Sequence, residues 1–241
     1  MWGGLAASSL LVGAAVAFLL PVGRRALGLI MAFGSGVLIS AVAYSLVADA
    51  FDSAGGNGIW LGLLIGAVTF FVGDLLIDRA GGENRKSADP APSRPSSAKP
   101  ILLGTVLDGV PESVVLGLTL LTGEGLSVAF FVAVFLSNLP EAISATTGFI
   151  NDGMRPRPIL MMWGSVVLVS AFAAGLGFAF FDSASPRTIA FVQAFAAGAI
   201  LTMLADSMMP EAFKYARNVA GLATTLGFAV AFAIATIEEA G

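Results

Sequence analysis

The stretch PILLGTVLDGVPESVVLGLTLLT, residues 100–122, is apolar along its whole length apart from Asp108, Glu112 and a few hydroxyls. A barrel strand would alternate and be about half as long, so this run reads as a helix that crosses a bilayer. Seven further runs of the same kind flank it, at about 5–22, 26–48, 58–78, 125–148, 158–181, 187–209 and 217–237. The fold they predict is an all-α polytopic membrane protein with eight transmembrane helices, organised as a single domain over 1–241.

Composition agrees. Of 241 residues, 57% are hydrophobic and only 12% charged, whereas a soluble domain carries about 25% charged residues. The mean hydropathy is +0.90. Disorder is excluded, because it needs low hydrophobicity. A net charge of −4 argues against nucleic acid as a partner. The chain holds no Cys and no His. Disulfides, thiol nucleophiles, imidazole bases and Cys-rich zinc sites are therefore excluded. A metal would be held by oxygen, or weakly by the sulfur of one of the 8 Met. The first residues, Met1 to Gly4, carry no basic segment, so the first run is expected to be a retained helix.

The basic residues set the orientation. Arg24 and Arg25 lie between runs 1 and 2. Arg79, Arg85, Lys86, Arg94 and Lys99 lie around the connection of runs 3 and 4. Arg155 and Arg157 follow run 5, and Lys214 and Arg217 follow run 7. Every basic residue except Arg187 thus falls in alternate loops, which the positive-inside rule makes cytoplasmic. Both termini are then extracytoplasmic, in a cell (inner) membrane. The polar, Pro- and Ser-rich stretch at about 79–99 is expected to be a solvated cytoplasmic loop.

No run has a Lys or Arg at its centre, but several contain carboxylates. A charge at the bilayer centre costs roughly 2.5–3.5 kcal/mol even on insertion scales. Such groups must be protonated, face water or bind a cation. Run 4 contains Asp108-Gly109-Val110-Pro111-Glu112, and run 5 contains Ser137-Asn138-Leu139-Pro140-Glu141. Each has the form polar-x-x-Pro-Glu, and in run 5 a second polar residue, Asn138, follows the first. Asp108 and Glu112, like Ser137 and Glu141, are four apart and share a helix face. Each Pro frees a carbonyl one turn earlier, at Leu107 and Leu136. Facing copies would supply carboxylates from Asp108, Glu112 and Glu141 and neutral oxygens from Ser137 and Asn138, a set suited to a divalent ion. One such motif could equally belong to a kinked helix with a protonated acid. Two copies in consecutive spans without a basic counter-ion favour a cation site. A third Pro-Glu, Pro210-Glu211, follows Asp206 at the inner end of run 7. Asp206, Glu211 and Asp49, which closes the outer end of run 2, are candidates for the ion pathway.

These residues resemble the ZIP (zinc/iron permease) family of divalent metal transporters. The resemblance runs through the eight-helix topology, the long loop after helix 3 and the paired Pro-Glu motifs. The segment Ala205-Asp206-Ser207-Met208-Met209-Pro210-Glu211-Ala212 is similar to helix 7 of the bacterial branch. The resemblance implies a 3+2+3 bundle, with helices 1–3 and 6–8 as inverted repeats around helices 4 and 5. It implies metal ligation by Glu112 and Glu141. Asp108 stands in the place of the family's helix-4 His and Gly109 in that of its Asn, while Ser137 and Asn138 hold the polar places of helix 5. The substrate would be a divalent cation such as Zn, Fe, Mn or Cd, moved by alternating exposure of the site, with no prosthetic group and a homodimer as one assembly open to it. The protein would not be an enzyme, since no nucleophile–base pair exists. A transport-dead relative that binds metal as a sensor or scaffold is the alternative.

Overall fold

The computed structural model describes residues 2–56, 58–82, 98–121 and 127–240. Among these the regular structure is entirely helical. Eight helices are long and apolar enough to cross a membrane, as expected from the runs. They are α1 (Trp2–Leu19), α2 (Arg24–Ala54), α3 (Ile59–Gly81), α4 (Ala98–Leu118), α5 (Val128–Asn151), α6 (Pro156–Phe181), α7 (Pro186–Ala216) and α8 (Val219–Ala240). Residues 83–97 of the expected cytoplasmic loop lie outside the described residues.

Two helices outrun the apolar sequence that announces them. α2 continues past Asp49 to Ala54, and α7 continues through Pro210 to Ala216. Both contain a wide π-helical segment, Ala43–Ala48 in α2 and Leu204–Met208 in α7. In α7 the local chemistry explains it. Pro210 has no N–H for the carbonyl one turn earlier. Ser207 Oγ donates 2.6 Å to the Met203 carbonyl. Backbone groups so displaced from the regular ladder are accommodated by a wider turn, a feature common at functional sites.

The outer and inner helices differ in exposure. α3 and α8 are mostly exposed, and residues such as Leu64, Leu76, Leu222 and Leu226 make an apolar outer face. α2, α4, α5 and α7 are mostly buried. α2 packs along α8, α3 along α7, α1 against α5 and α6, and α4 against α6.

Close backbone approach makes several of these crossings, two of which match. Where α2 meets α8, a side chain at Gly36 would run into the Thr224 carbonyl, and one at Gly227 into that of Phe33. Where α3 meets α7, Gly66 faces the Phe195 carbonyl and Gly198 that of Leu63. The absence of Cβ atoms lets the helix backbones touch, the usual means of tight packing in lipid. The two crossings use matching sequence: Ala32-Phe33-Gly34-Ser35-Gly36 in α2 and Ala194-Phe195-Ala196-Ala197-Gly198 in α7. Further along, Asp49-Ala50-Phe51 matches Glu211-Ala212-Phe213. The basic ends of α2 and α7 are neighbours, since Arg25, Tyr215 and Arg217 line one hollow.

Candidate metal centre

α4 and α5 bring their motif residues to one buried cavity. Asp108, Glu112, Ser137, Asn138, Pro140 and Glu141 line it, together with Met31 of α2 and Met203 and Met208 of α7. Asp108 is 3% exposed and Glu112 1%. Ser137 and Asn138 are buried as well, and Glu141 is half-buried. The free space is about 10 Å³. That is the room of a single water molecule, so a cation would enter stripped of nearly all its hydration.

Helix periodicity explains which side chains converge. In α4, Thr105, Asp108 and Glu112 stand three and then four residues apart and share one face. Thr105 Oγ1 donates across to Glu141 Oε1 at 2.8 Å and also approaches the carbonyl of Ile101 at 3.1 Å. The hydroxyl therefore ties the carboxylate of α5 to the helix that carries the other two. Ser137 Oγ donates to the Val134 carbonyl at 3.0 Å, which leaves its lone pairs as the groups it can offer an ion.

The carboxylates share the cavity without closing on a common point. Among the described residues, no group of three or more acidic side chains is drawn together tightly enough to hold a metal by itself. An ion in this conformation would take some of its ligands from neutral neighbours.

Other residues named from the sequence lie outside the cavity lining, which the pathway candidates among them were not expected to join. Leu107 and Leu136, whose carbonyls the prolines were expected to release toward an ion, do not line the cavity. Pro111 and Pro140 sit inside helices that continue past them. The Leu136 carbonyl instead faces Gly34 of α2, where a Cβ would stand 3.4 Å from it. Asp49, Asp206 and Glu211 also lie outside the cavity lining. Asp206 is exposed, Asp49 is half-buried, and Glu211 pairs with Lys214 at 3.5 Å. A second hollow behind Glu112, lined by Thr105, Gly109, Ser113, Asn138 and Ser170, has no room for a water-sized sphere.

Sequence reasoning missed Thr105 and the three methionines. Thr105 carried a usable signal, being on the Asp108–Glu112 face. The methionines carried none, since their meeting depends on how α2 and α7 pack. Met203 and Met208 are five residues apart, which in an α-helix separates them by about 140° around the axis. The π segment between them, closed by i→i+5 bonds, brings both to the same side.

No family model matches the chain. A protein of Arabidopsis thaliana, provisionally named a zinc transporter, is 24% identical over 236 residues, which cover 95% of this chain and 37% of that protein. The chain thus spans little more than a third of the length of the curated relative it matches.

Proposed function

We propose that this protein moves a divalent metal cation across a membrane through the cavity between α2, α4, α5 and α7, as a ZIP-like transporter. One observation carries the reading. Five polar residues singled out on two different helices, Asp108, Glu112, Ser137, Asn138 and Glu141, meet at a single buried cavity of ion size. Formal charge from the carboxylates offsets the loss of hydration, and neutral oxygens complete the shell. The zinc-transporter name of the plant relative fits the same reading.

The matched crossings of α2 with α8 and α3 with α7 support a 3+2+3 inverted repeat. In an eight-span chain α2 and α7 run in opposite directions, so matching sequence in the two gives related structures on opposite sides of the membrane. Such repeats place a site near the midplane and expose it alternately by rocking one bundle against another. The basic loops then lie in the cytoplasm and both termini outside, in a cell membrane.

Uptake by purified protein in liposomes tests the reading. With Zn²⁺, Mn²⁺, Fe²⁺ and Cd²⁺ supplied singly, at least one should accumulate above protein-free vesicles. Metal binding without accumulation of any of them would instead assign the chain to sensing or scaffolding.

A further inference from the structure

We propose that the hollow where α2 begins and α7 ends binds the phosphate headgroup of an anionic phospholipid in the adjacent membrane leaflet. The inference does not rest on the transport reading. It needs only that the eight long apolar helices cross a bilayer.

The hollow holds about 400 Å³ and is lined by Arg25, Tyr215, Ala216, Arg217, Asn218 and Val219. Small-ligand sites span about 300–1,000 Å³. Gly28 brings the two helices together here, since a Cβ on it would stand 2.6 Å from that of Tyr215 and 2.8 Å from the Ala216 nitrogen. Both arginines are exposed. Among the described residues neither guanidinium has an ion-pair partner. Glu211, the acid nearest to Arg217 in sequence, is engaged by Lys214. Two like charges on one hollow repel, and a bound anion turns that repulsion into attraction. The guanidinium fork matches the oxygens of a phosphate.

Helix chemistry does not account for the pair. Arg25 stands in the first turn of α2, where the positive end of the helix disfavours a cation. Arg217 has a φ of 52°, a region that side chains rarely adopt and that glycine enters without steric cost. A basic loop explains charge on this side of the membrane, but not an arginine kept at a strained position beside a second one.

The neighbouring surface favours a lipid over a soluble phosphate. Val219 lines the hollow, and Leu222 and Leu226 follow three and seven residues later on the same face of α8. Leu222 is 73% exposed and Leu226 59%. An apolar strip therefore runs from the hollow along the spanning helix, a track for acyl chains. Basic pockets between transmembrane helices take anionic headgroups in this way.

The test titrates the full-length protein in neutral detergent with dioleoyl phosphatidylglycerol, dioleoyl phosphatidylcholine and inorganic phosphate. Native mass spectrometry counts bound lipid, and melting reads stabilisation. The parent should hold phosphatidylglycerol about tenfold more tightly than phosphatidylcholine and melt higher with it, whereas inorganic phosphate should leave its melting unchanged. The double variant Arg25→Gln, Arg217→Gln should lose the preference. Arg157→Gln, at the start of α6 and outside the hollow, should keep it. If the double variant does not fold, Arg217→Gly, which relaxes the backbone as it removes the charge, should weaken the preference alone. No preference in the parent, or an equal loss in Arg157→Gln, overturns the proposal. Equal stabilisation by inorganic phosphate would make this a site for soluble phosphate and overturn the lipid assignment.

Discussion

Thr105 of α4 donates a 2.8 Å hydrogen bond to the carboxylate of Glu141 in α5. The bond links the two helices that carry all three cavity carboxylates, and it fixes which way Glu141 points. A hydrogen bond to a charged group contributes about 1.5–3 kcal/mol. Thr105→Val keeps the shape and removes the donor. Its metal affinity is expected to drop about tenfold, the low end of that energy, while Thr105→Ser retains most of it. Isothermal titration of the parent and both variants checks this; equal affinities for Val and Ser would leave Thr105 no orienting role.

On the proposed ZIP-like reading, Asp108 stands where a His ligand would be expected. Oxygen ligands suit harder ions, and imidazole suits zinc. Asp108→His is expected to move the ratio of Zn²⁺ to Mn²⁺ binding toward zinc, measured by competition in parent and variant. A ratio that stays level or moves toward manganese would remove Asp108 from the ligand set.

Acidification should weaken metal binding. Carboxylates ligate only when ionised, so bound metal and protons exclude each other. Affinity is expected to fall steadily as pH is lowered, because protons compete with the ion for the same oxygens. Titrations at stepped pH read the slope directly, and a flat profile would mean that the carboxylates do not touch the ion.

The backbone crossings make a stability prediction. A methyl at Gly36 would meet the Thr224 carbonyl, whereas one at Gly221 of the same helix pair meets nothing within 4 Å. Overpacking costs typically about 1–3 kcal/mol, and replacing glycine by alanine in an open helix gains about 0.5–1 kcal/mol. Gly36→Ala should therefore melt lower than the parent in detergent, and Gly221→Ala level or higher.

The number of spans was legible because hydropathy and basic loops alternate in step, two signals with independent causes. Helix ends were less so. α2 and α7 run on through Asp49, Asp52, Pro210 and Lys214, charged residues and a proline that end an apolar run without ending the helix. That these polar residues would gather at one cavity was legible because Asp108–Glu112 and Ser137–Glu141 sit at helical spacing within single spans. Met31, Met203 and Met208 were not, because tertiary packing and a π turn decide which way they face. The kinship of Gly36 with Gly198 stood in the sequence, but it acquires meaning only once both are seen against a neighbouring backbone.

The central claim is that the ion passes between Glu112 and Glu141, and radiolabelled zinc flux into proteoliposomes tests it most directly. Glu112→Ala and Glu141→Ala, each verified as folded by its elution and melting, are compared with the parent at equal protein density. On the proposed reading, each substitution removes a charged ligand of the ion. The expected result is flux by the parent and near-background flux by both variants. Parental flux in either folded variant would contradict the account.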